Sequence, residues 1–246
     1  MRFRHGVLGC ILALAAMPGL GVARAAAAGT DAGAGHATVK ATELMFSEKV
    51  KDEKPYRSRF LITPDFMRSD YGAGSRDFVL LDRHAHTVYS VSHEDHTVLV
   101  IRHRDKMGKI PASLHLGEEH ERDEKAPTID GKTPVHFTFT ADGSTCYNAV
   151  VVPGLLPDAV AAMREFQQVM AGQHAADMQK TPKSMRTPCY LARYIYASDR
   201  HLRHGMPIQE WDPKGYRRML VDYKRQVTVD AGLFKLPEGF KRYSVN

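Results

Sequence analysis

From Tyr56 to Arg104 the chain alternates apolar and polar residues in short runs. Phe60 and Ile62 alternate with Arg59 and Leu61, Tyr89 and Val91 with Ser90 and Ser92, and Leu99 and Ile101 follow at the same spacing of two. Successive strand side chains point to opposite faces, so each set lines one face of a sheet. The breaks between runs, at 70–77, 82–86 and 92–96, are short and polar, as hairpin connections are. This is the plan of a curved antiparallel sheet. It predicts strands at 39–50, 56–63, 66–71 (after an interruption at Pro64-Asp65), 78–81, 87–91 and 97–102.

The pattern then changes twice. Residues 117–125 are almost wholly charged and read as a solvated connection. Val135, Phe137 and Phe139 restore the alternation, and Asp142-Gly143 is a hairpin turn into a strand at 146–152. Pro153, Gly154 and Pro157 end the sheet pattern. Val160, Met163, Phe166 or Gln167, and Met170 recur at helical spacing and predict a helix over 158–178, with Pro157 and Asp158 suited to its first turn. Thr187-Pro188 is a helix start, so 189–197 reads as a short helix, although Tyr190, Tyr194 and Tyr196 also suit a strand. Two strands, 207–211 and 216–229, joined at 212–215, and an apolar closing segment at 233–240 complete the chain.

Composition adds the compartment. Arg2 and Arg4, an apolar stretch over 7–20 and the small-x-small site Ala23-Arg24-Ala25 make a secretory signal peptide at 1–25. Gly6, Gly9, Pro18 and Gly19 interrupt the stretch too often for a spanning helix. The rival reading, a lipidated Cys10 in Val7-Leu8-Gly9-Cys10, leaves almost no apolar region before the cut. Residues 26–37 are a flexible Ala/Gly leader, and 38–246 form one domain. Losing Arg2, Arg4 and Arg24 lowers the formal net charge from +6 to +3. With no clustered Lys/Arg stripe, nucleic acid is not expected as a partner. Cys146 and Cys189 remain as a candidate disulfide in an oxidising space, closing a loop worth on the order of 4 kcal/mol in the chain-entropy picture. Two unpaired buried thiols are the alternative.

The lead-in, the long first strand, the second strand broken as Pro64-Asp65-Phe66-Met67-Arg68, the meander with Val79-Leu80-Leu81-Asp82 and the closing Phe234-Lys235-Leu236-Pro237-Glu238-Gly239-Phe240 resemble the periplasmic lipoprotein-carrier superfamily. That superfamily includes the LolA and LolB carriers, the sensor domain of the RseB regulators and uncharacterised exported relatives, to which the chain is more similar. The resemblance implies an α+β fold, an incomplete β-barrel covered by one long and one or more short helices, whose concave apolar face holds acyl chains. It carries the carriers' lid arginine onto Arg68. The insertion between Cys146 and Cys189 departs from the carrier pattern.

Candidate chemistry is sparse. Seven of the thirteen histidines lie between His84 and His120. His84, His86, His93 and His96 sit in two turns, where four imidazoles would suit zinc or copper if brought together. The turns lie at opposite ends of one strand, some 17 to 20 Å apart, so solvated turn histidines are the expected state. Gly72-Ala73-Gly74-Ser75 is not a nucleophile elbow, and no phosphate loop, metalloprotease helix or dinucleotide fingerprint occurs. No cofactor or metal is implied. The expectation is an exported, non-enzymatic binding protein, periplasmic or, in a cell without an outer membrane, secreted, and at most peripheral to the membrane. It would hold an apolar ligand or a lipoprotein's lipid against Phe60, Ile62, Arg68, Tyr89, Val91, Leu99 and Ile101. The alternatives are a metal-binding envelope protein using the turn histidines and an interaction module that docks another envelope protein.

Overall fold

The computed structural model describes residues 37–104 and 109–245. The expected signal peptide, Cys10 and nearly all of the leader lie outside the described residues. Six strands follow one another as antiparallel neighbours: β1 (Thr38–Lys49), β2 (Tyr56–Ile62), β3 (Phe66–Asp70), β4 (Phe78–Asp82), β5 (Thr87–Ser92) and β6 (Thr97–Arg102). Beyond them come β7 (Leu116–Glu121), β8 (Val135–Ala141), β9 (Ser144–Val152), β10 (Met206–Trp211), β11 (Arg217–Asp230) and β12 (Lys241–Ser244). All twelve join one sheet, in the order β12-β6-β5-β4-β3-β2-β1-β11-β10-β9-β8-β7.

The helices are α1 (Pro157–Ala176) and the short α2 (Pro188–Leu191), which runs into a π-helical turn, Ala192–Tyr196. α1 starts where Leu156 turns through the left-handed region (φ 47°), with Pro157 and Asp158 in its first turn. α2 starts as its sequence suggested, the Thr187 side chain accepting from the Tyr190 backbone N–H at 3.2 Å.

This architecture corrects the expected fold. The sheet is not an antiparallel half-barrel but a twelve-stranded open sheet, and it is mixed, because β12 runs parallel to β6. The closing segment crosses to the far edge of the meander, and such a long-range pairing leaves no local periodicity to read. The charged stretch at 117–125 is also not wholly a loop. Its first residues form β7, paired antiparallel with β8. As the last strand of the sheet, with Glu118 to Glu121 exposed, β7 has no apolar phase to betray it, and edge strands are commonly charged.

Both faces of the meander are covered. On one, α1 lays Val160, Met163 and Met170 over Leu44, Phe46, Phe60, Ile62, Met67, Leu81, Val88 and Ile101. On the other, Leu233, Phe234, Leu236 and Phe240 of the closing segment lie over Leu61, Phe78, Leu80, Val91, Val98 and Val100, with the Phe234 and Phe66 rings stacked 5.9 Å apart. Each such buried side chain contributes about 1.5–3 kcal/mol. A third cluster packs Val135, Phe137, Phe139, Ala149 and Val151 under Cys189, Leu191, Ala192 and Tyr196.

Candidate functional site

The residues expected to share one ligand-binding face are divided between two. Register places Tyr89 opposite Val100 and Val91 opposite Val98, while Leu99 pairs with Ser90 and Ile101 with Val88. Leu99 and Ile101 therefore join Phe60 and Ile62 under α1, and Tyr89 and Val91 face the closing segment. Alternation fixes which residues share a face within a strand; the connection length fixes it between strands. Each four-residue turn here, 83–86 and 93–96, ends with a histidine in the left-handed region, His86 (φ 46°) and His96 (φ 51°), a conformation in which histidine is several-fold enriched among non-glycine residues.

Arg68 is buried on the closing-segment face. Its Nε meets Asp70 Oδ2 at 2.7 Å, its Nη1 donates to the Leu233 carbonyl at 2.7 Å, and its guanidinium lies 3.9 Å over the Phe78 ring. It ties that segment to the sheet. The Asp70 carboxyl meets burial that would raise it, but bonds from Arg59 and Arg68 outweigh that and hold it below the usual range.

The turn histidines have local partners. His84 Nε2 lies 2.7 Å from Asp65 Oδ1, His86 lies against the His103 ring, and His93 and His96 both rest on Phe240. Among the described residues no three or more His, Cys, Asp or Glu side chains come together as a metal site. Cys146 and Cys189 form a disulfide, with Cα atoms 5.1 Å apart, that clamps α2 to β9.

The sheet's most polar interior was not anticipated. Glu48, in phase with Leu44 and Phe46 on β1, points inward, as do Ser58 on β2, Arg218 on β11, Glu210 on β10 and Tyr147 on β9. Glu48 accepts from Ser58 and, at 3.3 and 3.2 Å, from the hydroxyls of Tyr56 and Tyr216. Glu210 accepts from Tyr147 and faces His201 Nε2 at 3.4 Å. Arg218 lies between the carboxylates, 3.8 Å from Glu48 Oε1 and 3.4 Å from Glu210 Oε2. Its Nε and Nη2 and Glu210 Oε2 make no hydrogen bond among the described residues. Arg193, from the π-helical turn, covers the Tyr147 ring at 4.3 Å and bonds Asp212 Oδ2 at 2.5 Å.

Burial pushes His201 down to about 4, the Glu210 carboxylate opposing the shift only in part. Burial likewise drives the Tyr147 and Tyr216 hydroxyls well up, so they stay protonated donors. For Arg218, burial would lower the guanidinium, but Glu210 and Glu48 outweigh it and hold the charge. The cluster is closed over, so it serves to staple the 192–203 turn to the sheet. Its signal in the sequence was a charged residue at an inward phase, as in Leu44-x-Phe46-x-Glu48.

Among the described residues, a cleft and a sheet face are open to solvent. A cleft of about 200 Å³ lies between α1 and the 195–203 turn, lined by Gln168, Ile195, Tyr196, Ser198, Asp199, Arg203, His103 and Arg104; drug-sized ligands occupy pockets of roughly 300–1,000 Å³. The Asp199 carboxylate there already holds Arg203, Arg164 and Gln168. The larger feature is the sheet face opposite the 192–203 turn. One row across it runs Arg57, Ser47, Met219, Gln209, Val150, His136, and the next runs Lys49, Arg217, Trp211, Asn148, Thr138. Met219 is 47% exposed, Arg57, Lys49, Arg217 and Gln209 are exposed, and Trp211 stacks on His136 at 5.2 Å. Lys49 is directly opposite Arg217, and neither they nor Arg57 has an ion-pair partner among the described residues. Further along the face Glu43 and Asp222 are answered by Lys224.

No protein-family model matches this chain, and no curated protein matches its sequence. Among solved structures it is similar to an uncharacterised conserved protein from Thermus thermophilus, with 10% identity, a TM-score of 0.41, and 83% of this chain covering 90% of that one. It is also similar to PNGF-II in two crystal forms, with 7% identity and TM-scores of 0.39. There 85% and 84% of this chain cover 31% and 32% of the other, so it spans about a third of PNGF-II. None of the three is named as a lipoprotein carrier, and similarity at this level assigns neither family nor activity.

Proposed function

We propose that this is an exported envelope protein that works by docking an acidic partner protein on the open face of its sheet, with no chemistry of its own. The observation that carries the reading is Lys49 facing Arg217 with no counter-ion among the described residues, beside exposed Arg57, Met219 and half-buried Trp211. Like charges directly opposite in a sheet are destabilising, and a patch of basic side chains around an aromatic and a methionine is the composition of a recognition surface. The signal-peptide pattern in the sequence at 1–25 and the Cys146–Cys189 disulfide support export to an oxidising compartment. The reading takes precedence over an apolar-ligand carrier because Phe60, Ile62, Leu99 and Ile101 are spent on the core under α1.

A photo-crosslinking side chain at Met219, in the protein expressed in its own envelope, tests this. The expected result is one discrete adduct that the Arg57→Glu, Arg217→Glu double variant abolishes, with none from the same probe at exposed Lys183. Equal adducts at both positions, or none at Met219, overturn the reading.

A further inference from the structure

The two edges of the sheet carry opposite charge. β7 closes one end of the strand order and β12 the other. On β7, Glu118 shares the α1 side with Phe139, its partner on β8, while Glu119 and Glu121 point to the other side with Thr138 and His136. On β12, Lys241 and Tyr243 align with Thr97 and Leu99 on the α1 side, and Arg242 aligns with Val98 on the other. All four residues of β12 are exposed, as are Glu118 to Glu121. Each side of one edge therefore carries acid, and each side of the other carries base.

An exposed edge is a template for another strand, and natural sheets commonly place charges there to prevent pairing. Charges of one sign on both edges would keep copies of a chain apart. Here the signs are opposite, and opposite charges on facing strands stabilise a pairing. We propose that β7 of one copy pairs with β12 of a second copy, so that the protein assembles head to tail. Such a contact is heterologous and does not close on itself unless the rotation per copy returns to the start, so the products are a ladder of oligomers. The contact is short, since β12 has four residues, and charges supply its attraction. It is independent of the docking face, whose basic residues lie on the broad surface of β1, β2 and β11.

Sedimentation velocity over a concentration series tests the assembly. At an ionic strength of about 0.01 M, where charges act over about 30 Å, the wild type is expected to show a concentration-dependent ladder; at about 1 M, where the range is about 3 Å, it is expected to be monomeric. Glu118 is engaged with His204 at 2.9 Å, so the acidic edge is altered only at Glu119 and Glu121. Glu119→Lys, Glu121→Lys gives two basic edges, and Lys241→Glu, Arg242→Glu gives two acidic ones. Each double variant is expected to be monomeric at low salt, and mixing the two is expected to restore association, since each then meets an opposite edge. A wild type that stays monomeric at low salt overturns the proposal, as does association that survives either swap or a mixture that stays monomeric.

Discussion

The two halves of the sheet solve the same burial problem differently. In the meander half both phases of a strand are apolar: β4 offers Phe78 and Leu80 to the closing segment and Val79 and Leu81 to α1, and β6 divides Val98 and Val100 from Leu99 and Ile101 in the same way. In the other half β8 is apolar in one phase only. β8 buries Val135, Phe137, Phe139 and Ala141 and leaves His136, Thr138 and Thr140 half-exposed. Near-continuous apolar runs belong to strands covered on both sides, and strict alternation to strands covered on one. The meander half is thus a closed three-layer body, and the other half leaves one face of its sheet open among the described residues.

The largest expected effect tests that contrast. Phe234 is 6% exposed and stacks on Phe66 at the centre of the second cover. Phe234→Ala should cost roughly 3–5 kcal/mol, read as a lowered denaturation midpoint, and should loosen β12, which follows it. Met219→Ala, a truncation on the open face, should stay within about 0.5 kcal/mol. Similar costs at the two positions would mean that the halves are not covered differently.

Much of the fold was legible in the sequence, and what was not has a physical cause. β5, β6, β8 and α1 declare themselves by period, and Asp142-Gly143 by the positive φ its turn requires at both residues (48° and 76°). β6 also carried a signal that a reading in terms of half-buried strands passes over. Thr97-Val98-Leu99-Val100-Ile101-Arg102 is apolar in both phases, and so needed a second cover, which is the closing segment. The parallel pairing of β12 and the edge strand β7 left no such trace. The turn histidines drew attention by their number, and the structure sets them against Asp65, His103 and Phe240. The polar staple was hidden because Glu48, Tyr147, His201, Glu210 and Arg218 are far apart in sequence and meet only once four strands and a turn are assembled.

That staple gives the singly covered half its own pH response. His201 faces Glu210, Arg193, Arg218, Asp199 and the Tyr147 ring, and burial holds it at about 4 in the folded protein, against 6.5 for the unperturbed side chain. The folded state therefore binds fewer protons than the unfolded one between these values. Stability is complete above about 6.5, falls as pH drops toward 4, and is flat in this respect below it. A shift of this size corresponds to on the order of 3 kcal/mol. His174, also pushed down by burial, adds a loss of the same sign, so His201→Leu should remove part of the slope between pH 6.5 and 4. An unchanged slope in the variant would mean that His201 takes its proton in the folded state as readily as in the unfolded one. The carboxylates held low, such as Asp70 and Asp199, are lost only at lower pH.

The smallest effect bears most directly on what the open face is for. Lys49 and Arg217 stand opposite each other on adjacent strands, and like charges so placed cost roughly 0.2–1 kcal/mol. Arg217→Thr replaces one of them with a residue of high β-propensity on an exposed strand position, so the variant should be more stable than the wild type by a few tenths of a kcal/mol. The same substitution removes a cation from the docking patch and should weaken the Met219 adduct. Gain of stability with loss of docking would show that the patch is held against a folding cost by its partner. In the doubly covered half no such trade is expected, because Arg68, its buried cation, is fully engaged with Asp70 and the Leu233 carbonyl, and Arg68→Thr should lower stability. A neutral or stabilising Arg68→Thr would erase the distinction between a cation that holds the fold and one that faces a partner.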